Sequence, residues 1–228
     1  MIRALAAVCL ALPLVTVQSA PQIRDVDVVA ADKATLRGTY TSPGRPGPGI
    51  VLFHQCNMLR GAWTSMAAAL AARGVHTLAI DYRGMGDNQA VPNDYAKRAS
   101  DADAVLAALA AMPGVDANKI AAGGASCGVD QAVQLARRSG TIKALVLLSG
   151  SAAESGIAYI RQARLPVFFA FSTDEGGPLP KMDAELSSSS HSSTRIRRLS
   201  NAGHGVPMFE KDATLLPELA DWVAERLR

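Results

Sequence analysis

The stretch Ala122–Asp130, AGGASCGVD, is where the sequence commits to a fold. An apolar strand is expected just before it, at Lys119–Ala122, and a helix just after it, at Val129–Arg138. Gly124, Ser126 and Gly128 therefore fall on the turn between them, spaced Gly-x-Ser-x-Gly. Glycines two positions either side of a central residue let a strand bend sharply into a helix, because neither carries a Cβ. The central residue, Ser126, is pushed out above the sheet at the positive end of the following helix. Cys127 comes one step later, where its backbone N–H faces the same point and its side chain turns away. A serine at such a turn is also a common helix cap, so the spacing gains meaning only from its surroundings.

Working outward, short apolar runs alternate with helical segments. Asp25–Val29 and Thr35–Tyr40 read as an opening strand pair, and Thr41–Gly49 as a Pro/Gly-rich turn. Further strands are expected at Ile50–Phe53, His76–Ile80, Ala144–Leu148, Val167–Phe171 and Arg195–Leu199. Helices are expected at Trp63–Gly74, Asp101–Met112 and Leu215–Leu227, each with apolar residues at helical spacing. Strands that alternate with helices of this length pair in parallel through helical crossovers. The apolar strands lack a polar face, as happens when helices cover both sides of a sheet. The expected class is α/β: one mostly parallel twisted sheet with helices on both faces, in a single domain spanning residues 20–228.

Composition narrows the partners. The chain has 228 residues, 49% of them hydrophobic, which suits one domain with a sizeable core. The formal charge is +3 with the basic residues scattered, and only 5% of residues are aromatic. Neither a basic patch nor a stacking platform for nucleic acid is visible. Residues 1–19 read as a cleaved signal peptide: Arg3, an apolar run from Ala4 to Val17, and a small-x-small site at Val17-Gln18-Ser19. The run is too short to span a bilayer comfortably, which takes about 20 apolar residues. The expectation is an exported chain, periplasmic or secreted, with no stable membrane insertion after cleavage. Cys9 leaves with the signal, so the mature chain keeps Cys56 and Cys127. The run Ser187–Ser193, SSSSHSS, is expected to be a solvated connection, with His191 at the surface.

Polar loops follow four of the other strands. They are His54-Gln-Cys-Asn57, Asp81-Tyr-Arg-Gly-x-Gly86, Ser172-Thr-Asp-Glu175 and Ala202-Gly-His-Gly205. Together with Gly124–Gly128, and in this order, they give serine, then acid, then histidine. In these motifs the chain resembles an α/β-hydrolase of the small branch near the dienelactone hydrolases, over nearly the whole mature length. The resemblance implies Ser126 as nucleophile and His204 as base, with an acid to fix the imidazole tautomer. It implies an oxyanion hole made by the Cys127 amide and an amide of the first loop, from Gln55 or Cys56. No cofactor or metal is implied. The substrate would be a small-molecule ester, thioester or lactone, and the oligomeric state stays open.

Some features depart from the family pattern. Dienelactone hydrolases place cysteine at the centre of the elbow, where Ser126 stands here. Gln55 occupies a position where glycine is usual, and Val129 replaces a second glycine after the elbow. Asp174 and Glu175 are adjacent, and only one can face His204. Counting from Pro166 as relatives run favours Glu175, chemical frequency favours Asp174, and the preference goes narrowly to Asp174. Asp81 follows the wrong strand for the acid and is expected to brace the turn at Arg83–Gly86, while His76 is expected to be structural. The segment between Leu148 and Pro166 has room for about one helix, so a light cap rather than a lid is expected. Two oxyanion donors aimed at one atom must lie close together, which would bring Cys56 and Cys127 within disulfide range. A bridge and a pair of buried thiols pointing apart are both compatible with that. A cysteine-dependent hydrolase and a catalytically idle binding protein remain the competing readings.

Overall fold

Strands rich in Val, Ile, Leu and Phe have nowhere to go but between two helical layers, and the sheet shows this. A computed structural model describes residues 20–189 and 191–228. Eight strands are ordered among the described residues: β1 (Gln22–Val29), β2 (Thr35–Ser42), β3 (Gly47–Phe53), β4 (His76–Ile80), β5 (Val115–Ala125), β6 (Leu145–Leu148), β7 (Val167–Ser172) and β8 (Arg195–Leu199). They form one sheet in the order β1-β2-β4-β3-β5-β6-β7-β8. β1 pairs with β2, and β2 with β4, in antiparallel fashion; the remaining neighbours are parallel. The α/β expectation holds.

Alternate residues of each central strand feed opposite layers. Val51, Phe53, Leu145, Leu147 and Phe169 enter one buried cluster, and Ile50, Leu52, Val146, Leu148 and Phe168 enter the other. Helices α2 (Arg98–Ala110), α3 (Cys127–Ser139), α4 (Glu154–Ala163) and α5 (Leu179–Ser189) cover the first face. Helices α1 (Thr64–Ala71) and α7 (Leu215–Arg226) cover the second, with the short α6 (Met208–Lys211) ahead of α7. Full burial of side chains such as Phe168 and Phe169 is worth about 1.5–3 kcal/mol each.

Several boundaries move. The helix expected from Trp63 opens as a 3-10 turn at Arg60–Trp63 and becomes α-helical only at Thr64. β5 is far longer than Lys119–Ala122: Val115 pairs with Gly47, pairing resumes at Ile120 with Gly49, and the polar residues Asp116–Lys119 span the register shift between them. The serine run is not wholly a connection: α5 carries Ser187–Ser189 in its last turn. Between β6 and β7 lies the single helix α4, so no substantial lid domain covers the sheet. No helix among the described residues is long and apolar enough to cross a membrane. The signal peptide read at 1–19 lies outside the described residues.

Candidate active site

At the end of β5 the chain turns into α3 through Ser126, whose backbone has φ 51° and ψ −118°. A side-chain-bearing residue seldom adopts this conformation, which costs about 1–3 kcal/mol and survives only where neighbours over-determine it. Here the Ser126 N–H donates to Leu148 O at 2.8 Å, and Val129 N–H donates to Ser126 O at 3.0 Å. The turn is so tight that a Cβ on Gly124 would lie 2.0 Å from the Gly128 carbonyl oxygen, which excludes any other residue there. Ser126 is thus held, half-buried, at the N-terminus of a 13-residue helix. Cys127 begins that helix, so its N–H is among those with no partner in the helix itself.

The turn after β7 sends its two acids in opposite directions. Glu175 Oε2 pairs with His204 Nδ1. Its other oxygen, Oε1, accepts from the Ser149 hydroxyl at 2.7 Å and the Ser172 N–H at 2.9 Å. Asp174, the narrow favourite by chemical frequency, does not reach the ring. Its Oδ1 accepts from the Ser172 hydroxyl at 2.5 Å and from the Asn201 N–H at 2.8 Å. Those two bonds, the hydroxyl first, hold the Asp174 carboxyl below its ordinary value. The spacing count from Pro166 matches this geometry and residue frequency does not, because the turn aims Glu175 inward and leaves Asp174 exposed.

Ser126, Glu175 and His204 line one cleft of about 320 Å³, with Ser149–Ser151 on one wall and Gly176–Leu179 on another. The His204 side chain is 47% exposed and the Glu175 side chain 12%. The first loop closes on the elbow from the far side. A disulfide joins Cys56 to Cys127 with Cα atoms 5.9 Å apart, so the sulfur next to Ser126 is engaged. His54 is fully buried beneath this loop. Its Nδ1 bonds the Gln55 carbonyl at 2.8 Å, and its Nε2 accepts the Tyr82 N–H at 3.2 Å. These partners select the neutral ring with the proton on Nδ1, and burial pushes its pKa down.

Asp81 meets its turn at the far end, where the carboxylate lies against Gly86 and takes the N–H of the next residue, Asp87, at 3.3 Å. It also accepts from the Arg60 N–H at 2.7 Å and pairs with the Arg60 guanidinium. A fully buried carboxylate needs a cation, and Arg60 supplies it. His76 sits between Tyr40 Oη, at 2.7 Å from Nδ1, and Arg45 O, at 3.1 Å from Nε2, away from the cleft. Ser149 and Ser172 were not singled out by sequence. Ser149 takes φ 47° and is buried, and no local pattern in LSGS announces that.

A model of the Alpha/beta hydrolase family matches residues 47–225. Among solved structures, a dienelactone hydrolase from Anabaena variabilis aligns with a TM-score of 0.74 and 20% identity, covering 92% of this chain and 100% of that one. A dienelactone hydrolase-like promiscuous phosphotriesterase from metagenomic libraries aligns at 0.69 with 24% identity, over 92% of this chain and 100% of that one. An esterase from Pyrococcus furiosus aligns at 0.73 with 14% identity, over 91% of each chain. Comparison with curated proteins gives no match. With its fold resembling the dienelactone hydrolase branch, the chain belongs to the alpha/beta hydrolase family.

Proposed function

We propose that the protein is an exported serine hydrolase that cleaves a small ester, thioester or lactone through an acyl-enzyme. The observation that carries this reading is the strained Ser126 sharing a cleft with the Glu175–His204 pair. Ser126 Oγ attacks the substrate carbonyl while His204 accepts its proton at Nε2, the ring nitrogen that Glu175 leaves free. Glu175 holds the ring in the matching tautomer and stabilises the imidazolium. The tetrahedral oxyanion forms at the N-terminus of α3, facing the Cys127 N–H and an N–H from Gln55 or Cys56, each donor contributing about 10²–10³ in rate. Collapse expels the alcohol or thiol, which takes its proton from His204, and water then repeats the sequence to release the acid. The lidless cleft of about 320 Å³ favours short acyl groups over long lipid chains.

The cysteine-dependent alternative loses ground because Cys127 is held in the bridge to Cys56 and offers no thiolate. A fluorophosphonate probe with a graded series of chromogenic esters tests the reading. Wild-type protein should be labelled and should turn over the short esters, and Ser126→Ala should abolish both. Absence of labelling in folded protein would instead make this an idle binding protein. Export is tested by fractionating cells expressing the full chain and reading the N-terminus of the mature form, expected near residue 20.

A further inference from the structure

Gln55 is 2% exposed, yet its side chain belongs to a different loop from its backbone. Oε1 accepts the Val206 N–H at 3.1 Å across 151 positions of sequence, while Nε2 donates to Asn57 Oδ1 at 2.8 Å. Gly205 packs directly on this amide: a Cβ there would lie 2.2 Å from Oε1. The loop that carries His204 is therefore pinned at both ends. Upstream, the Asn201 N–H bonds Asp174 and the Ala202 N–H bonds Ser172 Oγ at 3.0 Å. Downstream, the pin is Gln55. Between them Asn201, Gly203 and Gly205 all take positive φ, and the His204 ring is half exposed. Apart from the Glu175 carboxylate on Nδ1, the ring's place is set by the backbone on either side.

We propose that the Gln55 side chain is a positioning residue for His204, tying the oxyanion loop to the histidine loop so that oxyanion donors and general base keep one geometry. The proposal deepens the hydrolase reading and rests on it for its catalytic consequence. Gln55 fits the task because a neutral amide both accepts from Val206 and donates to Asn57. Removing it leaves the buried Val206 N–H unsatisfied and a gap against Gly205. The disulfide at the next residue fixes the same loop to the elbow, so the backbone amide of position 55 stays in place when the side chain is changed.

The test compares Gln55→Ala and Gln55→Glu with wild type in two readouts. One is kcat and KM on a short-chain p-nitrophenyl ester. The other is the long-range 1H–15N spectrum of histidine-labelled protein, which reports ring tautomer, with His204 assigned by its loss in His204→Ala. Gln55→Ala should lower kcat by about 10–100-fold with KM within about twofold, as misplacement of a catalytic group does. Its His204 ring should lose the single tautomer that Glu175 selects. Gln55→Glu keeps an acceptor for the Val206 N–H and should recover the order of the ring, while its kcat stays low because a buried carboxylate has no donor for Asn57 Oδ1 and opposes an oxyanion. Wild-type kcat and an unchanged ring in Gln55→Ala overturn the proposal, as does a rise in KM alone. Should Gln55→Ala fail to fold, Gln55→Glu decides: a folded variant with a disordered His204 ring overturns it. A wild type that hydrolyses no ester, alongside a Gln55→Ala ring that loses its order, would sink the hydrolase reading and leave the hold on His204 standing.

Discussion

Glu175 and Asp174 differ by one methylene and one position, and the turn after β7 gives them different work. Glu175 spends one oxygen on His204 and the other on Ser149 and Ser172, so its carboxylate cannot swing away without breaking three hydrogen bonds. Asp174 bonds the backbone at Asn201 and so shapes the loop rather than the ring. Replacing Glu175 by Gln should therefore leave the fold intact and lower kcat by about 10³–10⁴-fold, because the imidazole loses its tautomer and its counter-charge. Asp174→Asn keeps an acceptor oxygen and should cost less than about tenfold. Steady-state kinetics on one chromogenic ester checks both. Equal, mild effects would mean that neither acid serves His204.

Between the elements, the Cys56–Cys127 bridge joins the loop after β3 to the first residue of α3. It closes a loop with a sequence separation of 71, for which the chain-entropy model gives on the order of 4 kcal/mol. Cys127→Ala keeps the backbone N–H at the start of α3, the oxyanion donor of the proposed mechanism, while removing the bridge. It should retain Ser126 labelling and much of the turnover, yet melt about 10 °C lower, at about 2–4 °C per kcal/mol for a chain of this size. Calorimetry with and without a reductant gives the same comparison in the wild type; an unchanged Tm would show that the bridge adds nothing. The sequence made elements legible to different degrees. His76–Ile80 and the Ser126 elbow could be read off directly, because an apolar run and a glycine spacing are local signals. The polar start of β5 could not, since Asp116–Lys119 span a register shift between two paired points, Val115 and Ile120, that only β3 defines. The spacing count from Pro166 points to Glu175 where residue frequency points to Asp174, but the contacts of Ser149 and Gln55 have no signal, because each depends on loops brought together from distant parts of the chain.

At the scale of the whole molecule, two buried histidines make stability depend on pH well above the range where carboxylates titrate. His54 is 0% exposed and His76 1%, and burial holds each below the ordinary histidine value of 6.5. Each ring also has one nitrogen committed as an acceptor. His54 Nε2 receives the Tyr82 N–H, and His76 Nδ1 receives the Tyr40 hydroxyl while Nε2 donates to Arg45 O. A second ring proton would face the Tyr82 N–H at His54, whereas at His76 the Tyr40 hydroxyl can turn to accept it and burial alone opposes the charge. Below pH 6.5 the unfolded chain thus takes up protons that the folded chain refuses, and stability falls as pH drops through that value; above it the two states bind alike and the curve is flat. The depressed carboxylates have the opposite order. Asp25, Asp174 and Asp212 bind protons less readily in the folded state, so their contribution is complete above about pH 4 and is lost only below it. The interval between about pH 7.5 and about pH 5 therefore isolates the histidines. Urea midpoints measured across it should decline with falling pH at a constant m-value. In His76→Gln, whose amide can still donate to Arg45 O but gains no charge, the decline should be shallower, with the remainder due to His54. A wild-type midpoint that stays flat from about pH 7.5 to about pH 5, or a His76→Gln slope equal to that of the wild type, would remove the buried rings as its cause.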